Sequence, residues 1–510
     1  MTPDALLALR LARKHVPDFL AVIQMAAAES TTAPKMLELV LRSATWHLES
    51  LLSDVGGVLT PAFYETWSSM GTAANALRDG PLAACLANFY SMFNEKAAHL
   101  RALKLRTKVL GAEHPDTITS INNLASCIDG QGKYSEAEPM YRQALELRTK
   151  VLGAEHPCTI SSINNLACCI RKQGKYSEAE PMYRQALELH TKVLGEEHPR
   201  TITSINNLAS CIKVQGKYSK AEPMYRQALE LRTKVLGTEH PYTINSISNL
   251  ASCINDQGKY SEAEPMYRQA LKLHTRVLGK EHPRTISSIN NLASCIHNQG
   301  KYSEAEPMYR QALKLRTKVL GTEHPDTIRS INGLASCIRY QGKYSEAEPI
   351  YKQALKLRTK VLGTEHSDTI TTINGLASCI RNQGKHSEAE PMYRQALELR
   401  TKVLGSEHRD TITSINGLAS CMKDQGKYSK AEPMYRQALE LRTKVLGTNH
   451  PDTITSINNL ADCMYHQSKY SKAERMYRRV LELRTKLLGE EHPDTKRSAR
   501  SLKLCVDAKK

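Results

Sequence analysis

Residues 114–155 read HPDTITSINNLASCIDGQGKYSEAEPMYRQALELRTKVLGAE, and this phrase decides the fold. Its histidine returns at 156, 198, 240, 282, 324, 366, 408 and 450, and a tenth copy opens at His492, a fixed period of 42 residues. Self-similarity at roughly 20 to 50 residues marks stacked supersecondary units, each unable to bury its apolar face alone.

Each phrase holds two helices. Ile118, Ile121, Leu124, Ala125 and Ile128 recur at the spacing of one helix face, and Pro115 suits a first turn, where its missing N–H goes unused. The spacing predicts a first helix over 115–128. Gln131-Gly132 breaks it. A second helix is expected from Ser135, with Ser135 and Glu138 as an S-x-x-E capping box. Ala137, Tyr141, Ala144 and Leu145 continue the apolar face, Pro139 falls in the first turn, and Gly153 ends the helix in the left-handed conformation that glycine tolerates. His114, just ahead of the first helix, reads as a turn or cap residue. Small residues at 125, 137 and 144 opposite Leu124, Ile128 and Tyr141 let the two helices approach closely.

Ile121-x-x-Leu124-Ala125-x-x-Ile128 followed by Ala137-x-x-x-Tyr141-x-x-Ala144 resembles the tetratricopeptide repeat. The 42-residue period, the HPDT opening, the INNLA core and GKYSEAEPMYRQAL resemble its kinesin light chain type, over about three quarters of the chain. The resemblance implies an all-α, right-handed solenoid acting as a protein-binding scaffold or cargo adaptor, with a concave groove that holds an extended peptide. Two departures are visible. No proline closes the second helix, and no heptad coiled coil precedes the repeats, so the resemblance does not carry attachment to a kinesin heavy chain.

The nine copies span 114–492, and 493–510 keeps the register at Leu502 and Cys505 while turning polar, as a terminal capping helix needs. Residues 81–113 read as a degenerate repeat, with 102–111 close to its second helix. Residues 1–80 read as a helical bundle or cap, with helices over 4–28, 34–53 and 61–77. All four Phe and both Trp precede residue 100. No run of 18 apolar residues suggests a membrane span. The short apolar run of 1–28, interrupted by Asp18, does not match a targeting peptide. A cytoplasmic, cytoskeleton-associated location is expected.

The chain carries a formal charge of +18, and Pro199–His366 alone holds 25 Lys and Arg against 14 Asp and Glu. That balance favours acidic partners: an acidic peptide, a nucleic acid or a membrane surface. A solvated surface is the plainer reading. Cys127, 169, 211, 253, 295, 337, 379, 421, 463 and 505 form a ladder. Equivalent helices lie about 8–10 Å apart, beyond the Cα separation of about 7 Å that a disulfide needs. The ladder therefore reads as reduced core thiols.

Candidate binding residues lie on the first helices. By the resemblance, a polar stripe opposite the apolar face lines the groove. Its asparagine column is Asn122, Asn164, Asn206, Asn290, Asn332, Asn374, Asn416 and Asn458, with Ser248 in the fourth copy. An amide can pair with any peptide backbone; stacking between repeats is the plainer role. The helix ends vary most between copies and carry Arg171, Lys172, Lys213, Arg339, Arg381 and Lys423, placed to attract ligand carboxylates. Catalytic signatures are missing: Gly132-Lys133-Tyr134-Ser135 lacks the phosphate-loop spacing, and neither G-x-S-x-G nor H-E-x-x-H occurs. One histidine per copy cannot build a tetrahedral metal site. A non-enzymatic adaptor without cofactor or metal is expected. Nucleic-acid binding by the basic array, and the sensor part of a signalling ATPase, are the alternatives.

Overall fold

In the computed structural model the described residues are 96–509, and the readings for 1–80 and for 81–95 lie outside them. The described residues are helical, without strands, and form two compact units that part between Cys169 and Ile170. Both are built from the same helix pair. A first helix such as Pro115–Gly130 is followed by a second such as Tyr134–Leu152, and the pair recurs up to Pro451–His466 and Tyr470–Leu488. Lys96–Leu110 stands where the degenerate copy places a second helix, and Pro493–Lys509 follows the last copy as a further helix.

The first helix runs two residues beyond the expected Ile128 and is capped as the sequence suggests. Nδ1 of His114 accepts the Asp116 N–H at 3.2 Å, and His198, His282 and His324 accept from Arg200, Arg284 and Asp326 at 3.1 Å. The imidazole thus does the work usually given to Ser or Asp. The threonine of the HPDT opening closes the preceding loop, with Thr159 Oγ1 donating to Gly153 O at 2.8 Å.

The second helix departs from expectation at its start. It opens at Tyr134, and its N-cap Lys133 makes no side-chain capping bond. Ser135 is therefore already inside the helix, so the capping box does not form. The glutamate of the motif is used sideways instead: in the second unit Glu180 salt-bridges Arg184 and accepts Gln215 Nε2 at 2.8 Å from the next copy. The earlier start also moves Pro139 out of the first turn into the helix interior, where it removes one i→i−4 bond. At the far end Gly153 sits at φ 88°, ψ 161°. This is an extended conformation of positive φ, open to glycine almost alone, rather than the left-handed helical cap.

Ile118, Ile121 and Ala144 form one buried cluster, joined by Leu147 of the second helix and Leu103 of the helix before. Ile328, Ile331 and Ala354 repeat it with Leu357 and Leu313. Each cluster thus takes side chains from three successive helices, which makes the core continuous from copy to copy within a unit. Leu145, expected on the apolar face, is only partly buried. The cysteine ladder is buried within this core, and the described cysteines are reduced thiols. Cys337 Sγ lies 3.4 Å from Tyr302 O, the first residue of the preceding second helix. Burial raises the ladder thiols from Cys211 to Cys505, Cys211 to about 11.

A buried cation near the end of six of the nine second helices ties neighbouring copies together. Arg148, Arg232, Arg316, Arg358, Arg400 and Arg442 are all buried. Arg316 is typical: NH1 donates to Ser330 Oγ and to Asp326 O of the next first helix, both at 2.9 Å, and NH2 donates to Ser287 Oγ of its own copy at 3.1 Å. One guanidinium thereby joins three helices. Arg106 makes the equivalent bonds to Ser120 and Asp116 O from the degenerate copy. In two copies histidine takes the place: Nδ1 of His190 and His274 meets Ser204 and Ser288 at 2.9 and 2.8 Å, with Nε2 left without a partner.

Arg316→Ala removes the hydrogen bonds to Ser330, Asp326 O and Ser287 together with the buried side chain that makes them, and is expected to cost about 2–4 kcal/mol. Arg316→His, which keeps one bond as at 190 and 274, should cost less than half of that; urea unfolding measures both. Burial lowers the pKa of His190 and His274 to about 4, with the neighbouring cations Arg200 and Arg284 adding to the effect. The unfolded chain then binds more protons than the folded one between pH 6.5 and 4. Stability is complete above about 6.5 and falls through that window, by roughly 2–4 kcal/mol per histidine. In His190→Arg/His274→Arg the fall should be visibly shallower in pH-dependent urea melts.

Candidate functional site

The first helices of successive copies lie side by side, and the predicted asparagines sit where they meet. Asn165 Nδ2 donates to Asn122 Oδ1 at 3.0 Å, and Asn249 Nδ2 to Asn206 Oδ1 at 2.9 Å. The donor in each pair is the second asparagine of the next copy. That residue is glycine at 333, 375 and 417, and the Oδ1 atoms of Asn290, Asn332 and Asn374 opposite them are buried without a partner. At these glycines the Tyr309, Tyr351 and Tyr393 rings stand 3.3, 2.8 and 2.8 Å from where a Cβ would be. The amide nitrogens are engaged locally: Asn164 on Ile160 O, Asn290 on Ser330, Asn416 on Ile412 O and Asn458 on Asp462. Asn122, Asn206 and Asn290 thus bond along the stack to the next copy, while Asn164, Asn416 and Asn458 bond within their own helices.

The cations at the helix ends are not equivalent. Lys213 donates to Ser252 at 2.9 Å and pairs with Asp256 at 3.0 Å, both on the next first helix. Arg381 lies 3.5 Å from Asp424, the same step along. Arg171 and Lys172 also engage other groups. Arg339 differs. NH1 donates to Ser378 Oγ at 2.9 Å and the guanidinium lies 4.2 Å over the Tyr340 ring, but among the described residues no carboxylate pairs with it. The residue that would supply one, a step along, is Asn382. Lys423, whose counterpart is His466, is likewise without an acidic partner among the described residues.

Aromatic rings gather beside Arg339, a feature that reading the copies one at a time missed. Tyr340, which is 51% exposed, stacks at 5.7 Å on Tyr302, and His297 meets both rings edge-on at 5.0 Å. Tyr465, Tyr470 and His466 form a second such group. The signal was present in the variable dipeptides His297-Asn298 and Arg339-Tyr340, which fall a repeat apart. Among the described residues no group of three or more His, Cys, Asp or Glu is placed to hold a metal ion, and no helix is long and apolar enough to cross a membrane.

The tetratricopeptide repeat profile matches in nine stretches, from 96–150 and 130–192 through 284–360 and 368–444 to 458–509. The chain belongs to the tetratricopeptide repeat family. The architecture of this family is a protein–protein interaction scaffold, in keeping with the sequence reading. Among solved structures, nearly identical TPR-like repeats of a putative kinesin light chain from Podosopora anserina are 27% identical, over 40% of this chain and 98% of that one, with a TM-score of 0.34. A single-substitution form of the same repeats is 26% identical over 40% and 97%, at 0.35. BtubC (BKLC) of P. vanneervenii is 23% identical over 46% and 92%, also at 0.35. No match was found among the curated proteins.

Within this repeat array thiol chemistry should be confined to two described positions. Cys158 and Cys168 are partly exposed, while the ladder from Cys127 to Cys505 is buried. A thiol reagent applied to folded protein is expected to modify Cys158 and Cys168 first, and the ladder only in denaturant, as peptide mass mapping would show.

Proposed function

We propose that the chain is a non-catalytic adaptor that takes an extended, acidic polypeptide segment along its row of first helices. Arg339 carries this reading. Its guanidinium is already positioned by Ser378 and Tyr340, and it lacks the internal carboxylate that Lys213 and Arg381 have in Asp256 and Asp424. A cation held in place and left unneutralised loses little side-chain entropy when a ligand carboxylate arrives. Lys423, two copies further on, offers a second point of attachment. Of the six cations expected to attract ligand, these two are thus the anchors proposed here. The asparagine column has a lesser part: Asn332 and Asn374 reach a ligand backbone only after their amides rotate out of the stack.

The likeness of the repeat phrase to the kinesin light chain type, in its HPDT opening and INNLA core, supports a cargo-adaptor role. The ring cluster beside Arg339 is what favours nucleic acid as the other reading. It offers a base little room, however, because Arg339 covers the Tyr340 ring on which Tyr302 also stacks.

The test is fluorescence anisotropy with a labelled, unstructured Asp/Glu-rich peptide at low salt. The double variant Arg339→Glu/Lys423→Glu should bind at least about tenfold more weakly, and wild-type affinity should fall as salt rises. Equal affinities would remove the electrostatic mechanism. Tight, steeply salt-dependent gel shifts with single-stranded RNA, in the absence of peptide binding, would favour the nucleic-acid reading instead.

A further inference from the structure

In the second unit the glycines after the first helices differ in what surrounds them. A Cβ on Gly300, Gly342, Gly384 or Gly426 would meet nothing within 4 Å. On Gly216 it would lie 2.7 Å from Cδ2 of His450 and 3.3 Å from Cδ of Pro451; on Gly174 it would lie 3.4 Å from Cδ2 of His408; on Gly258 it would run into the His492 ring. The separation is 234 residues in all three cases. The histidine that opens one copy therefore rests on the loop of the sixth copy before it.

The chemistry of the contact is specific. Nδ1 of His408 accepts the Asp410 N–H at 3.1 Å, which places the proton of the neutral ring on Nε2. Nε2 lies 3.0 Å from Lys172 O and donates to it. Lys172 is the last residue of the first helix Pro157–Lys172, so its carbonyl has no partner within that helix. His450 is placed likewise beside Val214, the last residue of Pro199–Val214, with its ring against Gly216. One imidazole thus caps the start of its own helix and the end of a helix six copies away. His408 and His450 are buried by this contact, whereas His198, His240, His282 and His324 are only half-buried. Between the two contacts Arg409 pairs with Asp452 at 3.0 Å and lies near Tyr176 and Tyr218.

We infer that the second unit is a coil clasped turn to turn by its capping histidines, so that its row of first helices admits an extended segment running along the coil axis and not a folded domain entering from the side. The clasp stands on the contacts above; the occupant rests on the peptide-binding reading.

Asparagine is as good an N-cap as any residue but is too short to reach the distant carbonyl, so His→Asn removes the clasp and keeps the cap. His408→Asn/His450→Asn/His492→Asn is compared with the control His240→Asn/His282→Asn/His324→Asn, which lacks those contacts. Small-angle X-ray scattering should show a larger maximum dimension for the clasp triple alone, together with a lower urea midpoint. Identical profiles for the two triples would overturn the clasp. With the same acidic peptide, blocking both ends with folded domains should slow association to wild type at least about tenfold and leave the clasp triple little affected. Equally fast association of the blocked peptide with wild type would overturn the side closure. No binding of either peptide would refute the peptide-binding reading and with it the stated occupant, while scattering would still decide the clasp.

Discussion

A buried guanidinium with hydrogen bonds in place of a counter-ion is the constraint on which the array depends. Removing a charge from water is costly unless its donors are satisfied. Arg316 meets that demand only when three helices stand in one arrangement, because its acceptors are a serine on one first helix and a serine and a carbonyl on the next, while Arg358, Arg400 and Arg442 meet it in part, each with a buried Nε left unpartnered. Apolar packing among isoleucine, alanine and leucine supplies most of the stabilisation but tolerates sliding. The guanidinium does not, and it fixes the distance between neighbouring copies. Histidine at 190 and 274 keeps one of the bonds, so those junctions are held by a weaker, titratable version of the same tie.

With spacing fixed in this way, function falls to residues the packing leaves undetermined. The first helices present the same apolar side in every copy, and their last two residues differ. Where an acidic residue follows one copy later, as at Asp256 and Asp424, a cation is spent on the protein's own stack. Where asparagine follows, at 382, Arg339 has no carboxylate partner among the described residues. Small changes at helix ends thus alter the charge the array presents without touching what holds it together.

Much of this was legible from the chain. The period, the two helices, the histidine cap and the cysteine ladder followed from residue type and spacing, because each depends on contacts within one copy or on burial alone. The capping box did not, since in the second unit the local motif competes with a partner in the next copy: Gln215 takes the carboxylate of Glu180, and the helix starts a residue sooner, at Tyr176. Arg148 was passed over as one more polar residue. Its role needs a serine 14 residues on and a threonine 29 residues back, a relation visible only once copies are laid side by side. The asparagine column was legible as a column, but whether an amide points at a ligand or at its neighbour is decided by the helix-to-helix distance. The contact across 234 residues had no sequence signal, because it depends on how fast the stack turns.

That last contact bears on how such a gene can change. It joins a loop to a cap that every copy possesses, so excising or inserting a whole copy inside the array would bring a fresh but equivalent pair together. Recombination between near-identical units could therefore lengthen or shorten the protein in quanta without a structural penalty. Loss of part of a unit would throw the phase out at both the adjacent and the distant junction.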